Sequence, residues 1–166
     1  MSWIWWAPLA AASLHIVEEF AWPGGFAEWD RAYRPAYAAS ITRRLHIVVN
    51  GALLLLCVQV WSLAPLEQTP ARSTVVGVWL AVAALMFSNA VFHVVGTIET
   101  HRRSPGVISG VLFYVPLALF GYWYFLIHGE IPWAGAAIAA VLGGSYHYWA
   151  RLMHLVRAGR PKSGRG

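Results

Sequence analysis

Apolar residues fall into five long runs, separated by short stretches rich in proline, glycine and charge. The runs cover about Trp3 to Phe20, Leu45 to Leu63, Thr74 to Ile98, Val107 to Ile127 and Ile131 to Ala150. A helix that crosses a bilayer needs about 20 predominantly apolar residues, so each run predicts one membrane-spanning helix. The first run is the shortest and ends in two carboxylates, Glu18 and Glu19. It does not read as a secretory signal, because no basic residue precedes it and no small-residue cleavage site follows. Trp22-Pro23-Gly24-Gly25 is expected to stop the first helix. The segment from Phe26 to Ser40 is expected to lie along the membrane surface as a short amphipathic helix. Ser104-Pro105-Gly106 is expected to open the fourth helix, with Ser as N-cap and Pro at the first helical position. The pattern therefore predicts an all-α, polytopic membrane bundle of about five helices. It forms a single domain over residues 1–156, followed by a basic tail over 157–166.

Composition agrees with that solvent. Hydrophobic residues make up 58% of the chain and charged residues 11%, against about 25% charged in an average soluble domain. The 10 Trp, 7 Tyr and 7 Phe suit membrane interfaces, where Trp3, Trp5, Trp22, Trp61 and Trp133 are expected as anchors. A soluble enzyme, a disordered tail and a nucleic-acid module all fit poorly. The single Cys57 excludes an internal disulfide.

The net charge of +5 records orientation. Arg31, Arg34, Arg43 and Arg44 lie between runs one and two, Arg102 and Arg103 between three and four, and Arg151, Arg157, Arg160, Lys162 and Arg165 after run five. Only Arg72 lies between runs two and three. With five spans and an outside N-terminus, 11 of the 12 basic residues face the cytoplasm, as the positive-inside rule prefers. The expectation is a multi-pass protein of the cytoplasmic (inner) membrane. Its expected partners are membrane lipids, anionic ones included, and a lipophilic substrate, with no nucleic acid.

A few ionisable residues remain within the spans, where they are expensive and face the bundle interior or a wet cavity. His15, Glu18 and Glu19 share one face of helix one, because positions three and four apart are neighbours on a helix. His46 and Asn50 are four apart on helix two, as are Asn89 and His93 on helix three. His147, Arg151 and His154 form a stripe on helix five. Six of the seven histidines then sit in the cytoplasmic half, leaving His128 at the outer face. At 1.5 Å per residue, His15, His46, His93 and His147 lie roughly 5–12 Å below the inner interface. Four helices thus bring polar groups to one depth.

His15-Ile16-Val17-Glu18-Glu19 reads as H-x-x-E-E, Asn89-Ala90-Val91-Phe92-His93 as N-x-x-x-H, and Arg103-Ser104-Pro105-Gly106 as Y-x-P-G with Arg in place of Tyr. In order and spacing these resemble the HXXEE family of small integral membrane proteins. That resemblance implies membrane class and site position and supplies no reaction.

Imidazoles and carboxylates together suit iron, zinc or manganese, and helix bundles build metal sites from inward Glu and His. The ligand pool is His15, Glu18, Glu19, His46, His93 and His147, with Asn50 and Asn89 orienting the ligands. His15, Glu18, Glu19 and His93 are the leading ligands and the candidate catalytic residues. The pattern is neither H-E-x-x-H nor the clustered histidine boxes of membrane desaturases. A metal-free acid–base site is the alternative, with a Glu18 or Glu19 carboxyl working with His15 or His93 on an apolar substrate undergoing isomerisation or cyclisation. A non-enzymatic role for the cluster in helix packing or partner binding is another. A proton path is disfavoured by the apolar outer half. His101, His128 and His154 read as interface residues, and Glu28, Asp30, Glu67 and Glu130 as solvated loop charges. Arg102 and Arg103 read first as positive-inside residues; the alternative is an anion site, since they precede the N-terminus of helix four.

Overall fold

The computed structural model describes residues 2–21 and 24–158, so Trp22 and residues 159–166 of the basic tail lie outside the described residues. Among the described residues the regular structure is entirely helical: α1 Trp3–Ala21, α2 Gly25–Tyr33, α3 Arg43–Ser62, α4 Arg72–Thr100, α5 Val107–Ile127, α6 Trp133–Gly144 and α7 Tyr146–Ala158. Within α5, Gly110–Tyr114 is wound as a π-helix.

Three helical segments, Arg43–Gln68, Arg72–Thr100 and Val107–Ile127, are long and apolar enough to cross a membrane. Their outward faces carry Val48, Leu55, Leu119 and Trp123, all exposed, as a lipid-facing surface requires. The first expected span forms α1 as one helix, but His15, Glu18 and Glu19 interrupt its apolar character. The fifth expected span is not one helix. It divides at Ser145 into α6 and the amphipathic α7. At 12 residues, α6 is about 18 Å long, short of the ~30 Å hydrocarbon core.

The 29-residue α4 is the axis of the bundle, burying Val76, Trp79, Leu80, Ala83 and Met86. Trp79 Nε1 donates to the Ile4 carbonyl at 2.8 Å, which pins the start of α1 to α4. Gly143 lets α6 lie directly on α4, because a Cβ there would stand 2.0 Å from the Ala81 carbonyl oxygen. At the same end of the bundle Arg72 pairs with Glu130 at 2.6 Å, and Trp5 Nε1 donates to Glu67. Glu67 and Glu130 are therefore tied to partners instead of being merely solvated, whereas Glu28 is exposed.

The amphipathic expectation for 26–40 is met by α2, but α2 does more than lie on a surface. Ala27 and Asp30 are buried, and Trp29 lies so close to α4 that a Cβ on Gly96 would stand 2.4 Å from its ring. Tyr33 donates to Glu99 at the end of α4, and burial together with that carboxylate pushes the phenol up to about 12. Asp30 is fully buried, which corrects its reading as a loop charge. It takes Arg34 through two contacts, at 2.7 and 2.6 Å.

Candidate metal centre

The ends of α1 and α4 and the start of α5 meet, and at their junction three side chains are buried together: His15, Glu19 and His93. Glu19 Oε1 lies 3.4 Å from His15 Nε2 and 3.3 Å from His93 Nε2. Each residue offers one ligand atom, and the three atoms lie within 4.8 Å of one another. Ligand atoms around a tetrahedral metal at about 2.1 Å stand about 3.4 Å apart, so the two separations from Glu19 to the imidazoles match edges of such a site. The i,i+4 spacing of His15 and Glu19 puts them on one helical face, and α4 delivers His93 opposite.

Hydrogen bonds fix the rings. Ser109 Oγ donates to Glu18 Oε2 at 2.6 Å and stands 3.0 Å from His15 Nδ1. With the Ser109 proton committed to Glu18, its oxygen accepts from His15 Nδ1–H, leaving Nε2 as a lone pair. On the other ring, Ser104 Oγ stands 2.8 Å from His93 Nδ1. Asn50 Nδ2 donates to Glu19 Oε2 at 2.7 Å, and Asn89 Nδ2 stands 3.0 Å from His15 Nε2 and 3.4 Å from His93 Nε2. Asn50, expected on one face with His46, thus bonds Glu19 instead, and Asn89 faces the Nε2 atoms of both imidazoles. Tyr114, within the π-helical turn, lies against His15 with ring centroids 4.4 Å apart and the planes tilted by 31°; such turns recur at functional sites.

The loop between α4 and α5 completes the enclosure. Gly106 has φ +97, and a Cβ there would stand 2.7 Å from His15 Cε1 and 2.9 Å from His93 Cε1. Only glycine combines that backbone with so close an approach. The expected cap is corrected here: α5 begins at Val107, and Ser104 turns its hydroxyl to His93 in place of capping. The open N–H groups of Ile108 and Ser109 bond instead to the Glu18 carboxylate, at 3.3 and 2.7 Å. Arg103 Nη2 reaches the same carboxylate at 3.1 Å. The anion at this helix N-terminus is thus supplied by the chain itself. Glu18 sits one residue from the cluster but turns away from it, and Arg102 is exposed.

The remaining histidines separate. His46 faces Asp30 at 3.7 Å and bonds the Thr42 carbonyl at 3.0 Å. Burial alone raises the Asp30 carboxyl, but the hydrogen bonds from His46 and Arg34 outweigh it and hold the group below the usual carboxylate range. His147 stacks on Phe92 with centroids 4.7 Å apart. His154 is not an interface residue: it is buried, with Nδ1 2.8 Å from Ser40 Oγ. His101 and His128 are exposed. Sequence reasoning missed Ser104, Ser109 and Gly106 as parts of the site. The Pro-Gly pair was the available signal, since it demands a sharp turn beside the N-x-x-x-H helix.

A family model described as "Protein of unknown function with HXXEE motif" matches residues 5–121. The chain belongs to this family. No curated protein and no solved structure matches it. The segment matched by the HXXEE model contains every side chain bonded to the cluster, and it ends before α6, so His147 and His154 lie beyond it.

Proposed function

We propose that the protein is a metal-dependent enzyme of the cytoplasmic membrane, with His15, Glu19 and His93 as metal ligands and an amphiphilic substrate. The observation that carries this reading is the buried convergence of three potential ligand atoms within 4.8 Å of one another, with Glu19 Oε1 3.4 and 3.3 Å from the two imidazoles. The serine bonds to both Nδ1 atoms support it, because metal-binding imidazoles are held in this way from their far nitrogen. A cation bound there acts as a Lewis acid on a substrate oxygen. Glu19 and Asn89 also line a cavity beside the cluster, which gives a substrate access to it. The proposed topology has five passes with the N-terminus outside, the fifth shared by α6 and the start of α7, and is supported by the distribution of basic residues; a C-terminal reporter that reads as external overturns it.

Elemental analysis of detergent-purified protein, after anaerobic reconstitution with iron, zinc or manganese, tests the centre. About one equivalent is expected in the wild type and little in His93→Ala. Trace metal only, in every reconstitution, overturns it. A metal-free acid–base site is the second reading, favoured by the placement of Glu19 between two imidazoles near hydrogen-bond reach. Activity that survives chelation would select it.

A further inference from the structure

A cavity of about 310 Å³ opens beside the cluster, with Glu19, Asn50 and Asn89 in its wall. His46, His147 and Arg34 also line it, together with the apolar Leu53, Leu56, Leu85 and Met153. A second space, about 460 Å³, is also walled by Leu56 and Leu85 and continues past Ala81 and Gly77 to Thr74, between α4 and α6. Leu56 and Leu85 belong to both walls, so the two spaces adjoin and together outline a groove. From Phe92 in the first to Thr74 in the second is 92 − 74 = 18 steps along α4, about 27 Å at the helical rise. That is close to the ~30 Å of a hydrocarbon core, and it is room for a long chain.

Charge selects the head group. Among the described residues, Arg34 is the one guanidinium in the cavity wall, and both Asp30 oxygens hold it. Glu19 is faced by two imidazoles and Asn50. An anionic head group would meet no unpaired cation and would lose its hydration there. His147 lines this cavity, and its Nε2, by contrast, is buried without a hydrogen-bond partner. A neutral imidazole nitrogen pairs with a hydroxyl or, as N–H, with a carbonyl, and a buried polar atom without a partner calls for one.

The geometry points to a long-chain lipid with an uncharged oxygen head group, an alcohol or carbonyl, as the ligand of this groove. Its head bonds His147 beside Glu19, and its chain passes between Leu56 and Leu85 toward Thr74. As a substrate assignment it rests on the metal-centre reading; as a binding site it stands on the cavity and His147.

Photolabelling with hexadecanol carrying a terminal diazirine, on purified full-length protein in nanodiscs, tests it. Label is expected on α4 and α6 near Gly77 and Ile138. Unlabelled hexadecanol should compete about tenfold better than palmitate or hexadecane, the value of one hydrogen bond in a buried site. His147→Phe keeps the stack on Phe92 and should erase that preference. Leu56→Trp, at a position 39% exposed and so tolerant of bulk, should abolish chain labelling. Equal competition by all three compounds, or unchanged labelling of Leu56→Trp, means ordinary lipid contact and overturns the site. Metal content measured on the same samples separates the two proposals. Bound alcohol without metal overturns the centre alone, and bound metal without alcohol overturns the groove alone.

Discussion

Glu18 accepts both the backbone N–H and the hydroxyl of Ser109, at 2.7 and 2.6 Å. One carboxylate therefore caps α5 and fixes the proton of the hydroxyl that holds His15. The two glutamates of the H-x-x-E-E segment divide the work, with Glu19 joining His15 and His93 in the buried cluster and Glu18 reaching it through Ser109.

Glu18→Gln should weaken metal binding about tenfold or more, the usual effect of losing a group that orients a ligand, while every ligand atom stays in place. Glu18→Ala also removes the helix cap and should cost about 1 kcal/mol of stability. Metal titration and thermal unfolding of both variants check this. Wild-type affinity in Glu18→Gln would show that the His15 tautomer does not depend on Glu18.

Gly106→Ala should damage the centre, because its Cβ would meet both imidazoles at 2.7 and 2.9 Å on a backbone at φ +97. The backbone term alone is about 1–3 kcal/mol. Gly129 is the control: its φ is +65, and a Cβ there meets nothing within 4 Å. Gly129→Ala should lose stability only, and Gly106→Ala stability and metal together. Equal metal content in the two would remove the steric argument.

Much of this site is legible along the chain because it is built from helical repeats. The i,i+4 pairs His15–Glu19 and Asn89–His93 each occupy one face, and the runs predicted for α3, α4 and α5 end within about two residues of the helices. What the sequence hides is set by tertiary contact. Asp30 looks like a loop charge until α2 folds over α4 and buries it against Arg34 and His46. His154 looks interfacial until Ser40 receives it. Ser104 has the form of a helix cap and is diverted by an imidazole eleven residues earlier. The break at Ser145 lies inside a continuous run whose apolar character alone does not reveal it. The polar, amphipathic stripe beginning at Tyr146 is the signal, since it sets α7 apart from the apolar α6.

Acid should loosen the contact of α7 with the segment after α2. Burial and the positive charge of Arg34 lower the His154 pKa below its ordinary 6.5. Between the folded and unfolded values the unfolded chain binds more protons, so this contribution is complete above pH of about 6.5 and is lost as pH falls below it. Ser40 Oγ donates to the Tyr37 carbonyl at 2.8 Å and so accepts from neutral His154. Thermal unfolding at successive pH values should show the decline in the wild type and a flatter profile in His154→Gln. An identical slope in both would assign the pH dependence elsewhere.

Asp30 and Arg34 should behave as a buried pair, not as a surface one. Asp30 is fully buried, and the Arg34 guanidinium lies over the Phe92 ring, 4.8 Å from its centroid. Asp30→Asn leaves the guanidinium partly sheltered and without its carboxylate, at a cost of about 3 kcal/mol. Arg34→Met strands the carboxylate and should cost a similar amount. Replacing both removes the unpaired charge, so the double variant should be more stable than either single one. A surface ion pair would give under about 1 kcal/mol for each change, with the effects nearly additive. Unfolding energies of the four proteins decide between these outcomes. The same cycle reports on the cavity, because Arg34 lines it: if Asp30→Asn frees the guanidinium, palmitate should begin to compete with hexadecanol for the groove.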